Sequence, residues 1–389
     1  MNGIQSLHTS DYDEIFALSQ YAFQYELTER ELEKKKQEAW RHKIWGYRLD
    51  GQLAAKLHLI PLPCYVNGKV VQMGGISSVA TWPEYRRQGM VKDLLFHALS
   101  FMKENGQLLS FLHPFSFSFY RQYGWAYTFN EKQYTIPMGA LKKKWHATGY
   151  VQRTKDLDIL QELYTAYAQH YNGMLVRDEK WWEQRVFRHK RHAVVAYNEQ
   201  KEAVGYLLYT VKDNIFTVHE IIYHNVNARK LLVTFIANHD SMAKEVKLIA
   251  PENDNLALLV DEPRFEQTIK PYFMARIVDV LAFLKQYRFE GTLEQSIVLQ
   301  VSDPFFPENE GTYYINGLDQ SGVINVTHGR QLSTKSSIHC SIQMLTAMLL
   351  GFKRPTELLN LGLISGDRRQ VEALDKHIPN RQTFLSDFF

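Results

Sequence analysis

Arg86-Arg87-Gln88-Gly89 is the segment of this chain whose residue types and spacing most plainly suit chemistry. It follows the strand-like run Ile76 to Ala80, which stops at Pro83, and precedes Val91, Leu94, Leu95, Ala98 and Met102, spaced as one face of a helix. The first turn of a helix presents unpaired N–H groups and the positive end of its dipole. A glycine there lets phosphate oxygens approach the backbone, and the two arginines add formal charge. A pyrophosphate is the ligand such a loop suits. The glycine is single, however, and the loop has neither the dinucleotide fingerprint nor the Lys-Ser/Thr pair of a P-loop, so nucleotide hydrolysis is not expected.

The surrounding pattern supplies the elements that must hold this loop. Trp45 to Leu49 and Leu53 to Ile60 flank Asp50-Gly51, and Tyr65-Val66 and Val70 to Met73 flank Asn67-Gly68, so each pair predicts a hairpin. Ser10 and Asp13 ahead of Ile15, Leu18 and Ala22 predict an amphipathic helix. A second helix, Glu29 to Trp40, carries Glu33-Lys34-Lys35-Lys36 as a solvated face. Asn105-Gly106 ends the helix after Gly89 and leads into a strand at Leu108 to Leu112. Next, Phe119-Tyr120-Arg121-Gln122-Tyr123-Gly124-Trp125 predicts a short helix capped by glycine, before an alternating strand from Tyr127 to Ile136.

With strand, basic loop, helix and strand in this order, Arg86-x-x-Gly89-x-Val91 resembles the signature of the GNAT superfamily, Arg/Gln-x-x-Gly-x-Gly/Ala. Val91 departs from the small residue usual there. The resemblance implies an acetyl-CoA-dependent N-acetyltransferase. It places the backbone of Val79, Ala80 and Thr81 along the pantetheine arm and acetyl carbonyl, and Arg86, Arg87, Gln88, Gly89, Met90, Val91 and Lys92 around the pyrophosphate. Phe115 and Ser116 are the further expected coenzyme contacts, and no metal site is expected. Acyl transfer from a thioester to an amine must take a proton from the ammonium and give one to the departing thiolate. Tyr120, held between two strands with a reference pKa of about 10, suits the second task as general acid. The neighbouring Phe119, Tyr123 and Trp125 suit a core.

Beyond the basic stretch Leu141 to His146 the order of elements repeats. Ala193 to Tyr197 and Ala203 to Tyr209 echo the first hairpin, Phe216 to Ile222 is a strand, Leu231 to Ile236 marks a helix and Val246 to Ile249 another strand. The intervening loop Tyr223 to Arg229 has no glycine, so this copy is expected not to bind coenzyme. From about Pro271 onward the pattern changes to strands at Phe273 to Val278, Ile297 to Val301, Tyr313 to Ile315 and Val323 to Val326, then three helical segments. One of these contains the apolar run Met344 to Leu350.

Over nearly its whole length the chain resembles the enhanced intracellular survival (Eis) family of bacterial acetyltransferases. The likeness is carried by Arg86 to Gly89, Phe119 to Gly124, Met274 to Val280 and the terminal Phe388-Phe389. It implies an α+β fold of α/β GNAT type: a catalytic GNAT domain over 1–150, a degenerate one over 151–285 and a sterol-carrier-protein-2-like domain over 286–389. It also implies that the carboxylate of Phe389 is the general base opposite Tyr120, that the protein is a hexamer, and that the substrate is a multi-amine such as an aminoglycoside. An α-carboxyl ordinarily titrates near 3.5, so burial beside two phenylalanines is what would make it a stronger base. Asp387 and Glu26 are candidate acidic contacts for a cationic substrate.

Composition narrows the remaining classes. Lys+Arg (45) and Asp+Glu (42) nearly balance to a net charge of +3, which excludes a general polyanion binder. Cys64 and Cys340 form no framework or metal-ligand spacing, and no cationic leader or membrane-length apolar run is seen, so a cytoplasmic protein without a membrane span is expected. Two alternatives stay open: a tandem-GNAT acyl or aminoacyl transferase with another donor, and a non-catalytic lipid or sterol carrier. The latter would use a cavity behind Met344 to Leu350.

Overall fold

Alternating apolar residues joined by tight turns build the first sheet of the computed structural model. Asp50 and Gly51 both take positive φ, as a two-residue hairpin turn requires, and pair Lys43–Leu49 with Gln52–Pro61. Residues 3–188, 191–293, 295–318, 324–329 and 336–389 are described; Met1, Asn2 and Val323, the expected start of a strand, lie outside them. The sheet runs Gly3–Leu7, Lys43–Leu49, Gln52–Pro61, Met73–Thr81, Leu109–Leu112, Met274–Ile277, Ala126–Tyr127. The helix Met90–Glu104 buries Leu94, Leu95, Ala98, Leu99 and Met102 against it.

The second sheet has the same plan: Tyr150–Arg153, His192–Tyr197, Ala203–Lys212, Ile215–Tyr223, Glu245–Ala250, Asn130–Pro137, Glu266–Pro271. Its sixth strand comes from the first copy, and the sixth strand of the first sheet comes from the second. The expected single strand Tyr127 to Ile136 is therefore two strands in two sheets, and Met274–Ile277 completes the first sheet rather than opening the third domain. The reason is local. The connections cross at Phe129 and Phe273, both fully buried, where the Phe129 N–H donates to the Phe273 carbonyl (3.3 Å) and the Tyr272 N–H donates to the Phe129 carbonyl (2.9 Å). The Cys64–Val66 and Lys69–Val71 hairpin forms a separate ribbon, tied at Tyr65 to the Gly173 and Met174 backbone.

A third, five-stranded sheet runs Ile324–Gly329, Gly311–Leu318, Ile297–Ser302, Ile338–Ser341, Ser365–Gly366. The helices Ile342–Leu349, Pro355–Asn360 and Arg368–His377 follow its longer strands, as expected. The apolar run is core: Leu345, Met348, Leu349 and Leu350 are fully buried, and the Thr346 hydroxyl accepts from the Ile277 N–H (3.1 Å). Its apolar face thus joins the third domain to the first sheet. No helix among the described residues is long and apolar enough to cross a membrane.

Candidate active site

Met73–Thr81 and Leu109–Leu112 run parallel in register from Met73 opposite Leu109 to Ile76 opposite Leu112, and then part. Past Ile76 the edge of Met73–Thr81 has no strand partner on that side among the described residues. On its other side it stays paired with Gln52–Pro61, except that Lys56 faces Ala80 while His58 faces Ser77. That mismatch is a bulge with one extra residue on Met73–Thr81, and Ser78 there has φ 51°, a left-handed conformation costly for a non-glycine residue.

A buried lysine holds the bulge. The Lys56 Nζ donates to the Ser78 carbonyl (2.9 Å) and Ser78 Oγ (2.7 Å), and lies 3.2 Å from His58 Nε2. The Ser78 carbonyl points at Lys56, so the Val79 N–H on the opposite side of the same planar peptide points away from it. His58 Nδ1 lies 3.2 Å from His42 Nδ1. Burial, with no carboxylate in contact among the described residues, pushes Lys56 down to about 7 and His42 down to about 3, and holds His58 well below the ordinary imidazole range. Composition gives no sign of this chain of groups. The available signal is Lys56 and His58 two apart in an otherwise apolar strand, hence on one buried face.

The histidines have a consequence for stability. Below about pH 6.5 the unfolded chain protonates His42 while the fold keeps it neutral, so unfolding takes up a proton and stability falls with pH toward 3. At pH 4 this imidazole alone is expected to cost about 2–4 kcal/mol relative to pH 7. Urea unfolding of His42→Gln should show that much less loss between the two pH values; an unchanged loss would refute the assignment.

The parted strands open onto a cleft of about 630 Å³ lined by Val79, Ala80, Thr81, Tyr85, the unbroken stretch Arg86 to Lys92, Phe115, Phe119 and Tyr123, with Ala22 and Phe23 at its rim. Gly89, at φ 83°, is the N-cap of Met90–Glu104 and supplies no capping side chain, and a Cβ there would meet nothing within 4 Å. The first-turn amides are therefore left to an anion. Arg87 is also left-handed (φ 63°), and the Arg86 guanidinium reaches back to the Thr81 carbonyl (3.4 Å). Ser116 does not line the cleft. Its hydroxyl caps the helix Phe117–Arg121 by accepting from the Phe119 N–H (3.3 Å).

Tyr120 sits behind that wall, packed on Phe115, Phe119 and Trp125. Burial raises its pKa, so it stays protonated, and no hydrogen bond to its hydroxyl is made among the described residues. Tyr120 belongs to the helix-side cluster with Leu94 and Leu112; Phe389 belongs to the cluster with Phe111 and Phe273 on the other face. Phe111 and Leu112 alternate across the strand, so the two candidate groups flank the parted strands from opposite faces. The Phe389 ring packs against Phe273 (5.0 Å between centroids) and Gly75, where a Cβ would come within 2.6 Å of it. Phe388 is exposed and packs on His113. Glu26 is exposed, whereas Asp387 is buried and paired with Arg177, which removes Asp387 as a contact for substrate.

The second copy has the same parted strands but no such loop. Ile215 to Val218 pair with Glu245 to Leu248, and the helix Val226–Ala237 is capped by Asn225, whose side chain accepts from the Ala228 N–H (2.8 Å). Its Arg229 is turned into a buried ion pair with Asp254 (2.7 Å).

Residues 3–128 and 173–277 match two different families, each described as an acetyltransferase (GNAT) domain, and residues 280–386 match the sterol carrier protein domain. A conserved protein of Enterococcus faecalis, described as a probable N-acyltransferase, is 26% identical with a TM-score of 0.93, covering 100% of both chains. Eis1 from Mycobacterium abscessus shares the fold at TM-score 0.81 and 19% identity, covering 99% of this chain and 100% of its own. An uncharacterized N-acetyltransferase of Streptomyces griseus is 26% identical over 61% of this chain; the match spans 64% of that relative's length.

Proposed function

We propose that this acetyltransferase, built from two GNAT domains and a sterol carrier protein domain, moves the acetyl group of acetyl-CoA to primary amines of a cationic, multi-amine substrate such as an aminoglycoside. The observation that carries the reading is the cleft in which an unprotected helix N-terminus, two arginines and the freed edge of Met73–Thr81 come together. The amides around Gly89, with Arg86 and Arg87, hold the pyrophosphate, and the edge from Val79 to Thr81 aligns the pantetheine arm. The Val79 N–H is the donor for the thioester carbonyl, an arrangement that favours charge developing on that oxygen.

The amine enters from the Phe389 face. The Phe389 carboxylate takes one proton from the ammonium, the freed nitrogen forms the new C–N bond with the acetyl carbon, the C–S bond breaks as the Tyr120 hydroxyl protonates the thiolate, and the second nitrogen proton returns to the Tyr120 oxygen. The products are the N-acetylamine and free coenzyme. The second GNAT domain, with Asn225 in place of a glycine, binds no coenzyme. Domain limits near 150 and 285, a cytoplasmic location and a hexameric assembly complete the proposal by likeness to the Eis family.

Turnover of acetyl-CoA with kanamycin tests it, comparing the chain with one extended by a single alanine after Phe389. Acetylation at more than one amine, abolished by the extension without loss of acetyl-CoA binding, is the expected result. Full activity of the extended chain would remove Phe389 as the base, and absence of acetylation on any amine tried would remove the substrate class.

A further inference from the structure

We propose that the second GNAT domain is the receptor for the chain's own tail, and that Arg177 and Glu220 are positioning residues that fix where Phe389 ends. The reading of Phe389 as the base underlies the catalytic half of this proposal, not the docking half.

In the first copy the gap past the last paired residue, Ile76, opens into the cleft. In the second, the gap past Val218 is closed by Phe384 and Ser386 from the tail, leaving a cavity of about 30 Å³. Glu220 lies two residues past Val218, as Ser78 lies two past Ile76, and each stands beside a register shift with the neighbouring strand. The same architectural position carries the coenzyme-side bulge in one copy and a tail-binding carboxylate in the other.

The latch is a buried guanidinium between two carboxylates. Arg177 is 5% exposed and lies over the rings of Tyr164 (3.8 Å) and Trp182 (4.7 Å). Its terminal nitrogens bind both oxygens of Glu220 (2.9 and 2.6 Å), while its Nε donates to Asp387 (3.1 Å). The Trp181 indole N–H donates to Asp387 (2.8 Å), and the Ser386 hydroxyl donates to Glu220 (3.1 Å). The Tyr272 hydroxyl adds a bond to the Asp387 carbonyl (3.1 Å). The Arg177 charge holds the Glu220 carboxyl below its usual range despite burial.

Buried charges of this kind are a poor way to gain stability and a good way to specify one arrangement. Two residues of chain span at most about 7 Å, so holding the Asp387 side chain and carbonyl confines Phe389 to its socket against Gly75 and Phe273. The acidic handle that sequence alone offered to a cationic substrate is spent on the tail.

The test uses the full chain with Arg177→Lys on the receptor side and Asp387→Ala on the tail side. Lysine keeps the charge but cannot bridge two carboxylates as a planar fork does. Retention of fold is checked by thermal melting, and the second variant serves if the first does not fold. Carboxypeptidase A release of phenylalanine reports tail detachment without reference to catalysis, and kcat and acetyl-CoA affinity are measured alongside. Loss of one charged hydrogen bond is expected to raise phenylalanine release about 10- to 100-fold, with kcat reduced and acetyl-CoA affinity unchanged. Unchanged release in both folded variants would overturn the receptor. Faster release with undiminished kcat overturns the positioning role if the chain extended after Phe389 is inactive. The same result with an active extended chain overturns the Phe389 base and leaves the receptor standing.

Discussion

Replacement of Tyr120 by phenylalanine is expected to lower kcat by about 10²–10⁴-fold, the usual contribution of a placed general acid, while acetyl-CoA affinity stays as it was. The substitution keeps the ring and its contacts with Phe115, Phe119 and Trp125 and removes only the hydroxyl. That hydroxyl bonds to nothing else among the described residues, so its loss should not disturb the fold. Burial raises its pKa, so the acid stays protonated as pH rises through 10, and Tyr120 itself should produce no alkaline fall in kcat below that pH. Steady-state kinetics of Tyr120→Phe with kanamycin as acceptor decide the matter; a kcat within a factor of about two of wild type would assign the thiolate's proton to another donor.

Arg276→Met is expected to destabilise the folded chain by about 3–5 kcal/mol, the cost of leaving a buried charge without its partner. Arg276 and Asp303 form an ion pair in which neither side chain has measurable exposure. Arg276 also donates to the Tyr123 carbonyl and lies over the rings of Trp125 and Phe305. Gly124, at φ 88°, makes room for it: a Cβ there would run into the guanidinium. The arginine, on the sixth strand of the first sheet, thereby couples the Tyr120 helix to the third domain, so the loss should appear both in the urea midpoint and in kcat. The double variant Arg276→Met with Asp303→Asn should recover most of the stability, because it removes the stranded carboxylate as well. If the single variant melts like wild type, the interlock is not a source of stability.

Much of the first GNAT domain could be read without coordinates because its determinants are local. Asp50-Gly51, the helix face from Val91 to Met102 and the single glycine at 89 each act over a few residues, where turn geometry, periodicity and capping dominate. Arg86 to Lys92 line one cleft with Val79 to Thr81 and Phe115. The repeat was legible in the order of strands for the same reason, and so was the missing glycine at Tyr223 to Arg229. The capping role of Ser116 was not read, because a serine before a short helix suits a ligand contact or a cap equally well, and the fold uses its hydroxyl as the cap.

The strand exchange, the interlock and the latch were decided only in three dimensions. Phe129 and Phe273, Gly124 and Arg276, and Arg177 and Asp387 are each separated by well over a hundred positions, and no periodicity links them. The sequence signals that did mark these sites were misleading. Phe273 to Val278 looked like the first strand of a new pattern because a strand's pattern does not say which sheet receives it. Asp387 looked like a substrate contact because acidic residues are usually exposed, and only the burial of Arg177 between Tyr164 and Trp182 reveals its partner. What the amino-acid order determined by itself was therefore most of the elements around the cleft and the glycine-bearing basic loop, since these follow from short-range backbone preferences. The assignment of strands to sheets and of the tail to its groove belonged to tertiary structure, because buried charge and ring packing are satisfied only by residues that the chain brings together on folding.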